Sequence, residues 1–216
     1  MIEFINNLYS QPATVDYCEK IVSGLVKRPF DTAGNIVFLI LGIIFLIIGR
    51  NQKLAKTFGW TTLVIWLFSS LYDATANLLF QVFDFTAMYI FITLLISLNF
   101  KRLGINFSAA YRWLIIISGV IVFILFRGLS PHIFFGALVL TVIITEFIVR
   151  TEYRKYWYLG ITSFLVGIIF WIIDLNKLAC DPTKIFSGRN LEHLFFSIAI
   201  YLIYKHYYQN KLDADQ

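Results

Sequence analysis

Charge is what this chain has least of. Asp, Glu, Lys and Arg together fill 14% of its 216 positions, where a water-soluble domain carries charge at about a quarter of them. Several other things are missing. No Walker, Rossmann or G-x-S-x-G pattern is present, which removes the common nucleotide-binding and serine-hydrolase readings. No internal repeat stands out, and no linker suggests a second domain. The opening "MIEFINNLYSQPATVDYCEKIVSGLVKRPF" has neither an unbroken apolar core nor a small-residue cleavage site, so it is not expected to be a signal peptide. Cysteine occurs only twice, at Cys18 and Cys180.

What fills the space is apolar. The chain is 59% hydrophobic with 22 phenylalanines and a mean hydropathy of +0.75. These values describe an integral membrane protein, one domain over residues 1–216. Seven segments approach the roughly 20 apolar residues of a spanning helix: about 32–49, 58–80, 83–100, 111–127, 132–149, 156–174 and 190–208. The expected fold is therefore all-α, a seven-transmembrane helix bundle with an extramembrane segment at 1–31 and a tail at 209–216. The loops after the first, third and fifth spans, with the tail, hold 11 of the 18 Lys and Arg residues. Positive residues favour the cytosolic side, so the N-terminus is expected outside or lumenal and the C-terminus in the cytosol. The pI of about 9.2 reflects basic loops at a membrane surface, and no nucleic-acid partner is inferred from it. Trp60, Trp113 and Trp157 suit an interfacial belt. "NFS" at 106–108 fits a glycosylation acceptor but falls on the expected cytosolic side.

The few ionisable groups within or beside the spans gather at the outer end. Asp73 is expected about two turns from the end of the second span, and Asp84 at the start of the third. Asp174 closes the sixth, while Arg189, Glu192 and His193 open the seventh. Asp16 and Glu19 precede the first. Each such group costs some kilocalories per mole to insert unless paired, which makes the cluster a candidate site. Ser69 with Asp73, and Arg189 with His193, are four residues apart and share a helix face. Glu146 is assigned to a local pair with Arg150. His132 and His206 have no matching ligand near them in sequence.

Three blocks carry a resemblance. "DYCEKIVSGLVKRPFDTAGNIVF", "SSLYDATANLLFQVFDFTAMY" and "WIIDLNKLACDPTKIFSGRNLEHLFFSIAIY" are similar, in order and spacing, to the signature segments of the alkaline ceramidase family. That family belongs to the CREST superfamily of seven-span membrane hydrolases. The resemblance implies an enzyme of lipid metabolism that cleaves the N-acyl amide of a sphingolipid. In it three histidines hold zinc while a serine and an aspartate assist. By position, Ser69 and Asp84 match the catalytic pair, and His193 matches one zinc ligand. Asp73 and Arg189 stand where the other two histidines are expected. The calcium-binding acids of the family are matched by Asp16 and Glu19, with Arg28 in place of a glutamate and Ile21 where an asparagine often lies. Cys18 and Cys180 match positions joined by a disulfide, which needs an oxidising compartment.

An arginine offers no lone pair to a metal, so Arg189 is read as replacing zinc. It is expected to form a bidentate ion pair with Asp73, whose loss in Asp73→Ala would strand the guanidinium. Arg28 is expected to neutralise Asp16, Glu19 or Asp84. The leading reading is a zinc-free pseudoenzyme that binds a ceramide-like lipid or acyl chain. No cofactor is expected, with zinc held by Asp73 and His193 as the alternative and calcium behind it. The second reading is a lipid amide hydrolase with unusual metal coordination. The third is a small transporter or channel using Asp73, Asp84 and Arg189 as a charge relay. The host membrane is a bacterial inner membrane or a eukaryotic secretory one.

Overall fold

A computed structural model of the chain describes residues 2–126, 130–149, 151, 154–178, 180–181 and 187–210. Among these residues every regular element is a helix, as expected. They are α1 (Ile2–Ser10), α2 (Pro29–Gly34), α3 (Ile36–Ile48), α4 (Lys53–Thr75), α5 (Leu78–Arg102), α6 (Ala109–Leu125), α7 (Ser130–Ile148), α8 (Lys155–Leu175) and α9 (Gly188–Gln209). The only strand-like pairing among them is an isolated bridge between Pro12 and Asn77. Four stretches are long and apolar enough to cross a membrane: Pro29–Ile48, Leu78–Arg102, Pro131–Ile148 and Lys155–Leu175. α6 is apolar but has only 17 residues. α4 and α9 have the length, at 23 and 22 residues. Polar side chains lower their hydropathy: α4 buries Ser69 and Asp73, and α9 buries Arg189, Glu192 and His193.

The boundary between α4 and α5 differs from the expected one. Ala76 adopts a left-handed conformation with φ 50°, which stops α4 at Thr75. Asn77 then caps α5, its Oδ1 accepting from the Phe80 N–H at 3.0 Å. Asp73 consequently lies in the last turn of α4. Asp84 lies nearly two turns inside α5, not at its surface.

Close helix crossings rest on glycine. A Cβ on Gly42 of α3 would meet the Leu63 side chain at 2.7 Å and the Gly59 carbonyl oxygen at 3.3 Å, so α3 and α4 approach backbone to backbone. α8 and α9 form a second tight pair, where a Cβ on Gly167 would strike Phe196 at 2.5 Å. Among the described residues, no Cα of α7 comes within 8 Å of one in α8. α7 and α8 therefore do not pack backbone to backbone among the described residues. At one end, His132 of α7 stacks on Trp171 of α8 with ring centroids 5.2 Å apart.

The N-terminal segment lies across the end of the bundle where α4 gives way to α5. Ala13 N–H donates to the Ala76 carbonyl, Leu78 N–H to that of Gln11, and Lys27 N–H to that of Ala74. The expected disulfide between Cys18 and Cys180 is present, with Cα atoms 5.5 Å apart. It ties this segment to the connection before α9.

The opposite end holds a buried network. Arg150, the expected neighbour of Glu146, lies outside the described residues. Among those described, Glu146 of α7 accepts from Arg102 of α5 at 2.6 Å and bonds the His206 ring of α9 at 2.8 Å. His206 is thus a fully buried core residue. Asn99 joins by donating to Thr145 Oγ1 at 3.0 Å and accepting from the Tyr207 hydroxyl at 2.8 Å. Trp60 and Trp113 are exposed, as a belt requires, but Trp157 is 1% exposed and packs inside the bundle.

Candidate functional site

A cavity of about 300 Å³ runs between α3, α4 and α5 on one side and α7, α8 and α9 on the other. Most of its wall is apolar. The polar lining gathers toward one end, where Ser69, Asp84, Arg189, Glu192 and His193 face it together with Tyr17. Three helices and the N-terminal segment therefore converge on one point. The residues singled out on α4, α5 and α9 are brought together there.

Arg189 is the centre of this cluster. Its Nη1 donates to both Glu192 oxygens at 2.9 Å, and its Nη2 lies 4.0 Å from Asp73 Oδ1. The contact with Asp73 is therefore distant and single, not the expected bidentate pair. The close partner is Glu192, three residues along the same helix. That spacing was visible in "RNLE", and i,i+3 neighbours of opposite charge meet on a helix surface. Asp73 is held instead by Asn35, whose Nδ2 donates to Oδ2 at 2.8 Å. Asn35 and Asp31 are both fully buried beside it, and Asp31 accepts from Ser187 at 3.2 Å. Neither residue had been read as part of the site. Ser69 is within hydrogen-bonding reach of the Asp84 carboxylate.

Tyr17 closes the roof. The Arg189 guanidinium lies 4.5 Å from its ring centroid and that of Arg28 lies 5.1 Å away, so two cations rest on one aromatic face system. Burial pushes the Tyr17 phenol well above its ordinary range, which keeps the hydroxyl protonated.

The second polar group is dispersed. Glu19 caps α2, accepting from the Phe30 and Asp31 N–H groups at 2.9 and 2.7 Å. Asp16 pairs with Lys177 at 2.6 Å in solvent. Arg28 makes no ion pair among the described residues, and its Nη2 donates to the Val15 carbonyl at 3.3 Å. The local backbone meets the needs of Glu19 before Arg28 can. Asp174 has a structural task, accepting from the Cys18 and Arg189 N–H groups at 3.1 Å each.

The donor set does not fit the metals that the matched positions imply. A three-ligand zinc centre needs lone pairs from three side chains. Here Asp73 and His193 offer them, but Arg189 brings only N–H donors and a fixed positive charge 4.0 Å from Asp73. Calcium needs six to eight oxygens, and both Glu19 oxygens are already engaged by backbone while Asp16 points to Lys177.

Unmet hydrogen bonds mark the cluster. Among the described residues, Asp73 Oδ1, Asp31 Oδ2, Asn35 Oδ1, Arg189 Nε and both His193 ring nitrogens are buried without a hydrogen-bond partner. Native structures leave few such groups, and each calls for a physical reason.

No curated protein matches the chain. The family model described as Ceramidase matches residues 9–208. That span takes in every helix lining the cavity, and this helical membrane protein belongs to the alkaline ceramidase family.

Proposed function

We propose that the protein crosses the membrane seven times and holds a ceramide-like lipid in its cavity, with an ion cluster standing in place of a metal. The spans are α2 with α3 as the first, then α4 to α9. The N-terminus lies outside and the C-terminus in the cytosol. α4 and α9, at about 35 and 33 Å for 1.5 Å per residue, match the roughly 30 Å hydrocarbon layer. Their polar faces turn inward to the cavity. The seam between α7 and α8 gives a lipid chain a path in from the bilayer.

The observation that carries the reading is the Arg189 guanidinium, chelated by Glu192 beside Asp73 at the head of an apolar cavity. The lipid's chemistry follows from charge. Among the described residues, Glu19, Asp31, Asp73, Asp84, Asp174 and Glu192 are buried at this end, and the buried basic side chains there are Arg28 and Arg189. An excess of buried acidic over basic side chains disfavours a phosphate or carboxylate headgroup. A neutral amide and hydroxyl head suits the site. The His193 ring, with neither nitrogen engaged, is free to meet the amide.

Purified protein should carry well under one zinc per chain by elemental analysis while retaining a neutral sphingolipid-type species by mass spectrometry. One equivalent of zinc, lost in His193→Ala, would overturn the metal-free reading. A second reading, hydrolysis of the amide, rests on Ser69, Asp84 and His193 all facing the same cavity. It requires release of fatty acid from an N-acyl lipid, abolished by Ser69→Ala and Asp84→Asn. The absence of any release from a purified protein that binds the lipid would remove it.

A further inference from the structure

The cavity has a floor as well as a head. On α9 its lining extends from Arg189 to Ile203, and on α8 from Trp171 back to Trp157. Each run covers about 21 Å of helix at 1.5 Å per residue. One leaflet of a bilayer contributes about half of the roughly 30 Å hydrocarbon layer. The cavity is therefore deep enough for one full lipid chain. Its volume of about 300 Å³ stands at the low end for ligand sites.

Four residues from four helices line the cavity and pack within one core cluster: Leu95 of α5, Val142 of α7, Trp157 of α8 and Ile203 of α9. Three of them stand one helical turn from a member of the buried network. Leu95 precedes Asn99, Val142 precedes Glu146, and Ile203 precedes His206 and Tyr207. The fourth, Trp157, places its ring 5.6 Å from that of His206. The His206 ring is held by Glu146 at 2.8 Å, which is itself bound to Arg102 at 2.6 Å. An indole resting on a buried, ion-paired layer cannot move aside without breaking that layer. Such a floor is rigid, and a rigid floor measures length.

We propose that Trp157, braced by the Arg102–Glu146–His206 network, sets the longest lipid chain that the cavity accepts. This rests on the lipid-binding reading above. Replacing the indole with a methyl extends the cavity along its axis, and each methylene that gains cover is worth about fourfold in retention.

The test is a competition. Wild-type protein and Trp157→Ala, in the same detergent, are offered an equimolar ladder of N-acyl sphingoid lipids differing only in acyl length, and the retained species are quantified by mass spectrometry. The expected result is a sharp upper limit for the wild type, displaced to longer chains in Trp157→Ala and by a smaller step in Trp157→Phe. Should Trp157→Ala fail to fold, Ile203→Ala opens the same floor from α9 and should produce the same displacement. Val139→Phe, which fills the wall above the floor, should move the limit to shorter chains. Retention with an unchanged length profile in the floor variants would overturn the floor while leaving lipid binding intact. Retention of no lipid by the wild type would overturn both.

Discussion

Two buried polar clusters sit at opposite ends of this bundle, built from the same kinds of residue. Each has an arginine, a glutamate and a histidine, and each joins α9 to other helices. At the deep end, Arg102, Glu146 and His206 lie in a chain of contacts at 2.6 and 2.8 Å, extended through Asn99 to Thr145 and Tyr207. Only Arg102 Nη2 among these side-chain atoms is buried without a partner. At the head, Arg189 and Glu192 pair within one helix, while His193, Asp73, Asp31 and Asn35 keep unmatched atoms. A largely satisfied network behaves as structure, because nearly every donor it buries is offset. An unsatisfied one costs stability and calls for a reason beyond packing. The cavity faces the second kind and stands on the first.

The largest effect should come from breaking the satisfied cluster. Glu146→Ala removes the carboxylate that Arg102 and His206 share in the core and should cost about 3–5 kcal/mol. Thermal unfolding in detergent would read this directly, and an unchanged midpoint would show that the deep network is not structural. At the head, Glu192→Ala should cost about 3 kcal/mol, the low end of that range, since Asp73 remains nearby as a second anion for Arg189. Asp73→Ala should cost less, about 1–3 kcal/mol, chiefly through the lost acceptor for Asn35. Equal losses for the two variants would restore the pairing of Asp73 with Arg189 as the main contact. The sharpest comparison uses one substitution twice. His206→Leu removes the bond to Glu146 and should destabilise by about 1–3 kcal/mol. His193→Leu removes no hydrogen bond and should be close to neutral in stability, yet it should abolish selection of an amide-bearing lipid. A large stability loss in His193→Leu would mean that its ring is already engaged.

Much of this could be read from the linear chain, and the failures have specific causes. Helices follow from apolar runs, so the all-α fold and the placement of α7 and α8 emerge from composition. The turn at Ala76 and Asn77 was harder, because two residues inside an apolar context reverse the chain without Gly or Pro. Asn77 as an N-cap was the available signal. The disulfide could be reached only through the resemblance, since two cysteines separated by 162 residues say nothing about proximity by themselves. Glu146 was assigned to Arg150, a residue outside those described, because sequence shows only local neighbours, and its contacts with Arg102 of α5 and His206 of α9 join positions far apart in the chain. Trp157 looked like a belt residue for a similar reason: an aromatic near a helix end is interfacial only if it faces outward.

The chain by itself determined that this is an apolar, helical membrane protein with its rare charges set along α4, α5 and α9. Through the family resemblance, it also places Arg189 where a metal ligand is expected. Those are properties of residue type, order and spacing, and they survive any arrangement of the helices. Tertiary structure alone decided that Asn35 and Asp31 join Asp73, that Glu146 meets Arg102 and His206, and that a tryptophan lines the cavity. Partner choice for a buried charge depends on distances of a few ångströms between helices, and such distances are set by packing, which sequence spacing does not encode.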